Sequence, residues 1–86
     1  MKKHIETSSG FEAEVNAAAA DDLAFLDLLC ALDDGEPHAI RGIVNALLDE
    51  PDRERLYAHV KTEDGRVPVS AVTREMIDII NGIGKK

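Results

Sequence analysis

The sequence predicts a mainly α, α+β domain: an N-terminal β-hairpin followed by about four short helices in a small bundle. Three observations carry that expectation. Residues 3–7 and 11–15 alternate polar and apolar with a period of two. Beyond Ala17 the apolar residues recur at helical spacing instead. Proline and glycine punctuate this second part at Gly35, Pro37, Pro51 and Gly65, which divides it into short helices. At 86 residues the chain makes one domain, because either half alone is too small to bury a core.

The hairpin spans residues 3–15. Phe11, Ala13 and Val15 fall on one face, and Ser8-Ser9-Gly10 forms the loop, with Gly10 free to take positive φ. Two strands alone are marginal, so the apolar face must rest on the helices.

The first helix is expected over residues 17–33. Asn16 is a candidate N-cap, the four alanines Ala17 to Ala20 favour helix, and Gly35 ends it. At about 100° per residue, Phe25, Leu28, Leu29 and Leu32 share one face, while Leu23, Leu26 and Cys30 share another. Two readings of that second face stay open. A helix apolar on most of its circumference sits in the centre of its bundle, or it offers the second face to a partner.

The second helix is expected over residues 37–49, with Pro37 in its first turn. Ile40, Ile43, Val44, Leu47 and Leu48 make a single apolar stripe, opposite a smooth face of Gly42, Asn45 and Ala46. Pro51 opens the third helix, residues 51–61, where Asp52 and Glu54 suit the positive end of the dipole. Its apolar face, Leu56, Tyr57 and Val60, is thin, so it belongs at the surface. Asp64-Gly65 marks a turn. The fourth helix, residues 69–82, carries the stripe Val72, Met76, Ile79, Ile80 and Ile83, with Ile77 at its edge. Ser70 is its candidate cap, Gly82 and Gly84 fray its end, and Lys85-Lys86 suit its negative pole.

Composition excludes several classes of function. Lys and Arg number 10 against 17 Asp and Glu, a net charge of -7, so no basic face is expected for a nucleic-acid backbone. No apolar run approaches the roughly 20 residues that span a bilayer. Met1-Lys2-Lys3-His4 is charged but leads into no apolar core, so no signal peptide is expected and the chain reads as intracellular. A single cysteine, Cys30, rules out an internal disulfide. Set among leucines, it is expected to be buried and unreactive.

The residues able to carry chemistry do not assemble into a motif. His4, His38 and His59 lie on three separate elements, and no pair has the i, i+4 spacing of a helical metal site. Asp33-Asp34-Gly35-Glu36 lacks the ligand spacing of a calcium loop and reads as a solvated helix end. Its two aspartates nevertheless oppose the helix dipole, and folding gives no reason for them. The isolated glycines make no phosphate loop. An acyl carrier protein needs a serine after Asp at a helix start, and here Asp22 stands in that place in Asp21-Asp22-Leu23. No catalytic residue, metal or cofactor is therefore expected, and the chain is not read as an enzyme.

The order of these segments resembles the small tail assembly chaperones of long-tailed phages and prophages of Gram-positive bacteria. The resemblance runs from about residue 5 to 83. It rests on Gly10-Phe11-Glu12-Ala13-Glu14-Val15, on Asp21-Asp22-Leu23 leading into a leucine-rich helix closed by Leu32-Asp33-Asp34-Gly35, and above all on residues 55–69, RLYAHVKTEDGRVPV. It implies a non-enzymatic chaperone in the host cytoplasm that coats the hydrophobic, helical tape measure protein and is absent from the mature virion. It also implies a longer, frameshifted form whose added tail recruits the major tail protein. Gly84-Lys85-Lys86 is compatible with a slippery purine-rich codon string.

The family supplies no residue-level site. From the residues themselves, partner contacts are expected at Leu23, Leu26 and Cys30, and at Arg53, Arg55, Tyr57 and Arg66, with weak self-association. The alternative is a small acidic interaction adaptor, antitoxin-like or regulatory.

Overall fold

A computed structural model describes residues 2–84. Strands β1 (Lys2–Glu6) and β2 (Glu12–Asn16) form an antiparallel hairpin in the register Lys3 to Val15, His4 to Glu14 and Ile5 to Ala13. A 3-10 segment, Ala17–Asp21, leads into helices α1 (Leu23–Asp33), α2 (Ala39–Leu47), α3 (Glu50–Val60) and α4 (Val69–Ile83). The α+β architecture is therefore the one the sequence predicts. The placement expected for Lys85-Lys86 lies outside the described residues.

The hairpin loop closes by Gly10 N–H donating to the Thr7 carbonyl at 3.0 Å, with Gly10 at φ 90°. Only glycine holds that conformation without strain. Ile5, Phe11, Ala13 and Val15 all point inward and are buried. They complete a core with Phe25 of α1, the whole predicted stripe of α2, Leu56 of α3, and Val72, Met76 and Ile79 of α4. Each fully buried aliphatic side chain among them contributes about 1.5–3 kcal/mol of transfer free energy. Thin as its apolar face is, α3 still seats Leu56 completely, while Tyr57 and Val60 are partly buried.

The first helix departs from expectation. It does not run unbroken from residue 17. The alanines wind as a 3-10 segment, and Asp22 at φ -127°, ψ 136° breaks the chain before α1 begins. Asp22 rather than Asn16 is the cap, its Oδ1 accepting from the Ala24 N–H at 3.1 Å. Asn16 instead donates to Asp49 Oδ1 at 3.2 Å. Lys2 also pairs with Asp49, and that bond, ahead of Asn16, holds the Asp49 carboxyl below the usual aspartate range.

Two smaller expectations are corrected as well. Ser70 lies inside α4, whose N-cap is Pro68. Gly82 does not fray; a Cβ there would stand 3.1 Å from Ile5 Cδ1, so its lack of a side chain seats β1 against α4. Gly42 does the same for α1 and α2, since its Cβ would meet Leu28 Cδ2 at 2.8 Å. Gly42 and Ala46 of the smooth face thus serve internal contacts, while Asn45 stays exposed. At the end of α4, Lys3 Nζ lies 3.3 Å from the carbonyls of Gly82 and Ile83 and donates to them, a cation at the negative pole.

Candidate functional site

Among the described residues the outer face of α1 carries the two most exposed large hydrophobic side chains. Leu23 is 72% exposed and Leu26 52%. Cys30, one turn on, is exposed too, which corrects the expectation of a buried thiol. On the inner side Phe25 is buried, and Leu28, Leu29 and Leu32 pack partly against the core. The helix is therefore not central in its bundle. It rests chiefly on α2 and the 3-10 segment, which cover only one of its two apolar sectors.

The basic residues singled out in the sequence are mostly engaged within the fold. Arg53 Nη1 donates to the Leu48 carbonyl at 2.9 Å and closes the end of α2. Arg55 Nη2 donates to the Glu12 carbonyl at 2.5 Å, its Nη1 pairs with Asp52, and its guanidinium lies 5.2 Å from the centre of the Phe11 ring. This arginine thus bolts α3 to β2, with a cation–π contact added to the polar ones. Arg66 remains exposed in the turn after α3, its Nε 3.5 Å from Asp64 Oδ2.

Tyr57 faces a second apolar feature, an open groove of about 280 Å³ between α2, α3 and the start of α4. Ile40, Val44, Val67, Val69 and Val72 line it, and Arg41 stands at its edge. The structure does not bring this groove's Tyr57 together with Leu23, Leu26 and Cys30 in one lining.

Two polar clusters escaped the sequence reading, because one depends on the pairing of the two strands and the other joins residues far apart in the chain. On the outer face of the hairpin, His4 sits between Glu14 (Nδ1 to Oε2, 2.5 Å) and Glu12 (Nε2 to Oε1, 2.9 Å). Those two hydrogen bonds, Glu14's the larger, raise the histidine pKa above its ordinary value. At the loop end, buried Glu75 accepts from Thr7 Oγ1 at 2.7 Å and from Ser9 Oγ at 2.8 Å, while His59 Nε2 lies 2.9 Å from Ser9 Oγ. A nucleophilic serine gives its proton to a histidine that a carboxylate orients. Here the carboxylate takes the serine's own proton, so His59 Nε2–H is the donor to Ser9. The arrangement fits a clasp that ties the hairpin loop to α3 and α4.

Among the described residues no group of three or more His, Cys, Asp or Glu is placed to hold a metal ion. No helix among them is long and apolar enough to cross a membrane. Comparison of the chain with models of protein families, with characterised proteins and with solved structures finds no match.

Proposed function

We propose that this protein is a phage tail assembly chaperone that binds the hydrophobic tape measure protein through the outer face of α1. The observation that carries the reading is the exposure of Leu23 and Leu26 on a helix whose opposite face is part of the core. Leaving two leucines in water costs the fold their burial, so a surface of this kind makes sense as one that is covered later. The segment order described above, from the hairpin through residues 55–69, adds the resemblance to that chaperone family.

The chemistry suits a long apolar helical client. A helix laid on α1 buries its own stripe against Leu23, Leu26 and Cys30, the helix-in-groove mode of recognition. The net charge of -7 keeps many copies on one client soluble and separated. In this reading the protein works in the host cytoplasm, leaves the particle before maturation, and reaches the major tail protein through a longer form of itself.

Co-expression with the tape measure protein of the same phage or prophage tests it. Wild-type protein keeps the client soluble and copurifies with it. Leu23→Asp with Leu26→Asp abolishes copurification while circular dichroism and melting temperature stay at wild-type values, because neither side chain is in the core. Loss of fold in that variant, or retention of the client, contradicts the proposal. A discrete stable dimer that ignores the tape measure protein favours the adaptor reading instead.

A further inference from the structure

We infer that the partner of α1 is an amphipathic helix whose apolar stripe is bordered by lysine or arginine. The inference rests on the docking role proposed for α1 and specifies the chemistry of what docks there. At about 100° per residue, Leu23, Cys30 and Leu26 span about 60° of the helix surface, with Asp27 about 40° beyond Leu23 and Asp33 about 20° beyond Leu26. The exposed ridge therefore has a carboxylate along each border. Asp22 stands at its N-terminal end and Asp34 at its C-terminal end, both exposed.

Among the described residues no cation answers these charges. From His4 to Ile40 there is no lysine or arginine. Among the described residues Asp27, Asp33 and Asp34 take part in no ion pair, whereas Asp49, Asp52 and Asp64 all do. Asp33 and Asp34 also sit at the negative pole of α1, where a carboxylate is unfavourable and a cation is welcome. A basic residue from a docked helix would meet both the carboxylates and the last carbonyls of α1. Complementary charge at the border of an apolar contact selects the partner and its register more than it adds affinity.

Three synthetic helical peptides of about 18 residues, or five turns, test this with the full chain. They share one leucine stripe and carry Lys, Gln or Glu along its borders. Fluorescence anisotropy is read at about 0.05 M and about 0.5 M salt, the higher of which screens exposed charge. The wild-type protein binds the Lys peptide at least about tenfold more tightly than the Gln peptide, and the Glu peptide least. The Lys advantage shrinks at high salt and is lost in D27N/D33N/D34N. Leu23→Gln with Leu26→Gln weakens all three peptides, which excludes a purely electrostatic association.

Equal affinity for the Lys and Gln peptides on wild-type protein overturns the inference, and needs no variant to be interpreted. So does a Lys advantage that survives in the triple Asn variant, or Lys-peptide binding undiminished by the two leucine changes. Equal Lys and Gln affinities that are both lost in the leucine variant leave the docking role standing without its charge preference. Failure of the tape measure protein to copurify removes the proposed function separately.

Discussion

Helices α1 and α2 pack on each other yet treat their aliphatic side chains in opposite ways. In α2, Ile40, Ile43, Val44 and Leu47 are all buried, as is Leu48 just beyond it. In α1 only Phe25 is buried, and Leu23 and Leu26 stand in water. The difference lies in pattern and in neighbours. The apolar residues of α2 fall in one stripe, and β2, α1, α3 and α4 surround the helix. Those of α1 fall in two sectors, and α2 with the 3-10 segment covers one of them. Apolar content alone thus does not place a helix in a core. The number of elements that can reach its circumference does.

The sharpest way to break this comparison is to truncate each helix at its most apolar point. Leu47→Ala in α2 should cost about 2–5 kcal/mol, since it opens a cavity in a fully packed site. Against a total stability of about 5–15 kcal/mol, urea titration should show a large fall in midpoint at unchanged slope. Leu26→Ala in α1, on an exposed site, should change stability by no more than about 0.5 kcal/mol. Equal losses at the two positions would mean that α1 is as central as α2.

The contact between the two helices can be sharpened at Gly42. A Cβ there already crowds Leu28 at 2.8 Å, so Gly42→Val should overpack the contact by about 1–3 kcal/mol. Leu28→Ala in the same chain should recover part of that loss. A double-mutant cycle should give a favourable coupling of about 0.5 kcal/mol or more. Strict additivity would show that Gly42 is not where the helices close.

The smallest expected effect lies on the hairpin, away from both helices. Glu14 and Glu12 raise the His4 pKa above the ordinary 6.5. A raised folded-state value stabilises the fold fully at pH values below the unfolded pKa, and that contribution is lost as the pH rises through the folded value. The melting temperature of wild-type protein should therefore exceed that of His4→Gln by more at about pH 5.5 than at about pH 8.5. The site is fully exposed and screened, so the change is slight. An advantage that grows with pH would contradict the assignment.

Much of the fold was legible because local chemistry and packing agree. The Ser8-Ser9-Gly10 loop placed the hairpin, and the predicted stripe gave all the buried residues of α2 except Ala39. The break at Asp22 was not legible, because four alanines favour helix and nothing local shows that the helical run must be interrupted there. Instead Asp22, one residue beyond the aspartate that ends the 3-10 segment, takes an extended conformation and caps a new start. Gly42 and Gly82 read as smooth or fraying positions, since their reason lies in Leu28 and Ile5, far along the chain. Burial of Glu75 was invisible for the same cause, its partners being Thr7 and Ser9.

The candidate site divides in a similar way. The second sector of α1 was readable as a pattern, but whether it faced core or solvent depended on how many elements reached it. Cys30 shows this directly: leucine neighbours in sequence suggested burial, and its place on the outer sector exposes it. Arg53 and Arg55 looked available because the sequence does not reveal the Leu48 carbonyl, the Glu12 carbonyl and the Phe11 ring that occupy them.

The rate at which a maleimide alkylates Cys30 tests the central claim most directly, since this thiol lies on the ridge itself. It is measured in the native chain alone, in the unfolded chain and in the chain bound to the tape measure protein. An outer face that is open when free and covered when loaded predicts fast alkylation of the native chain, close to the unfolded rate, and strong protection in the complex. Protection in the free chain would return α1 to the core, and equal reactivity in the complex would place the client elsewhere.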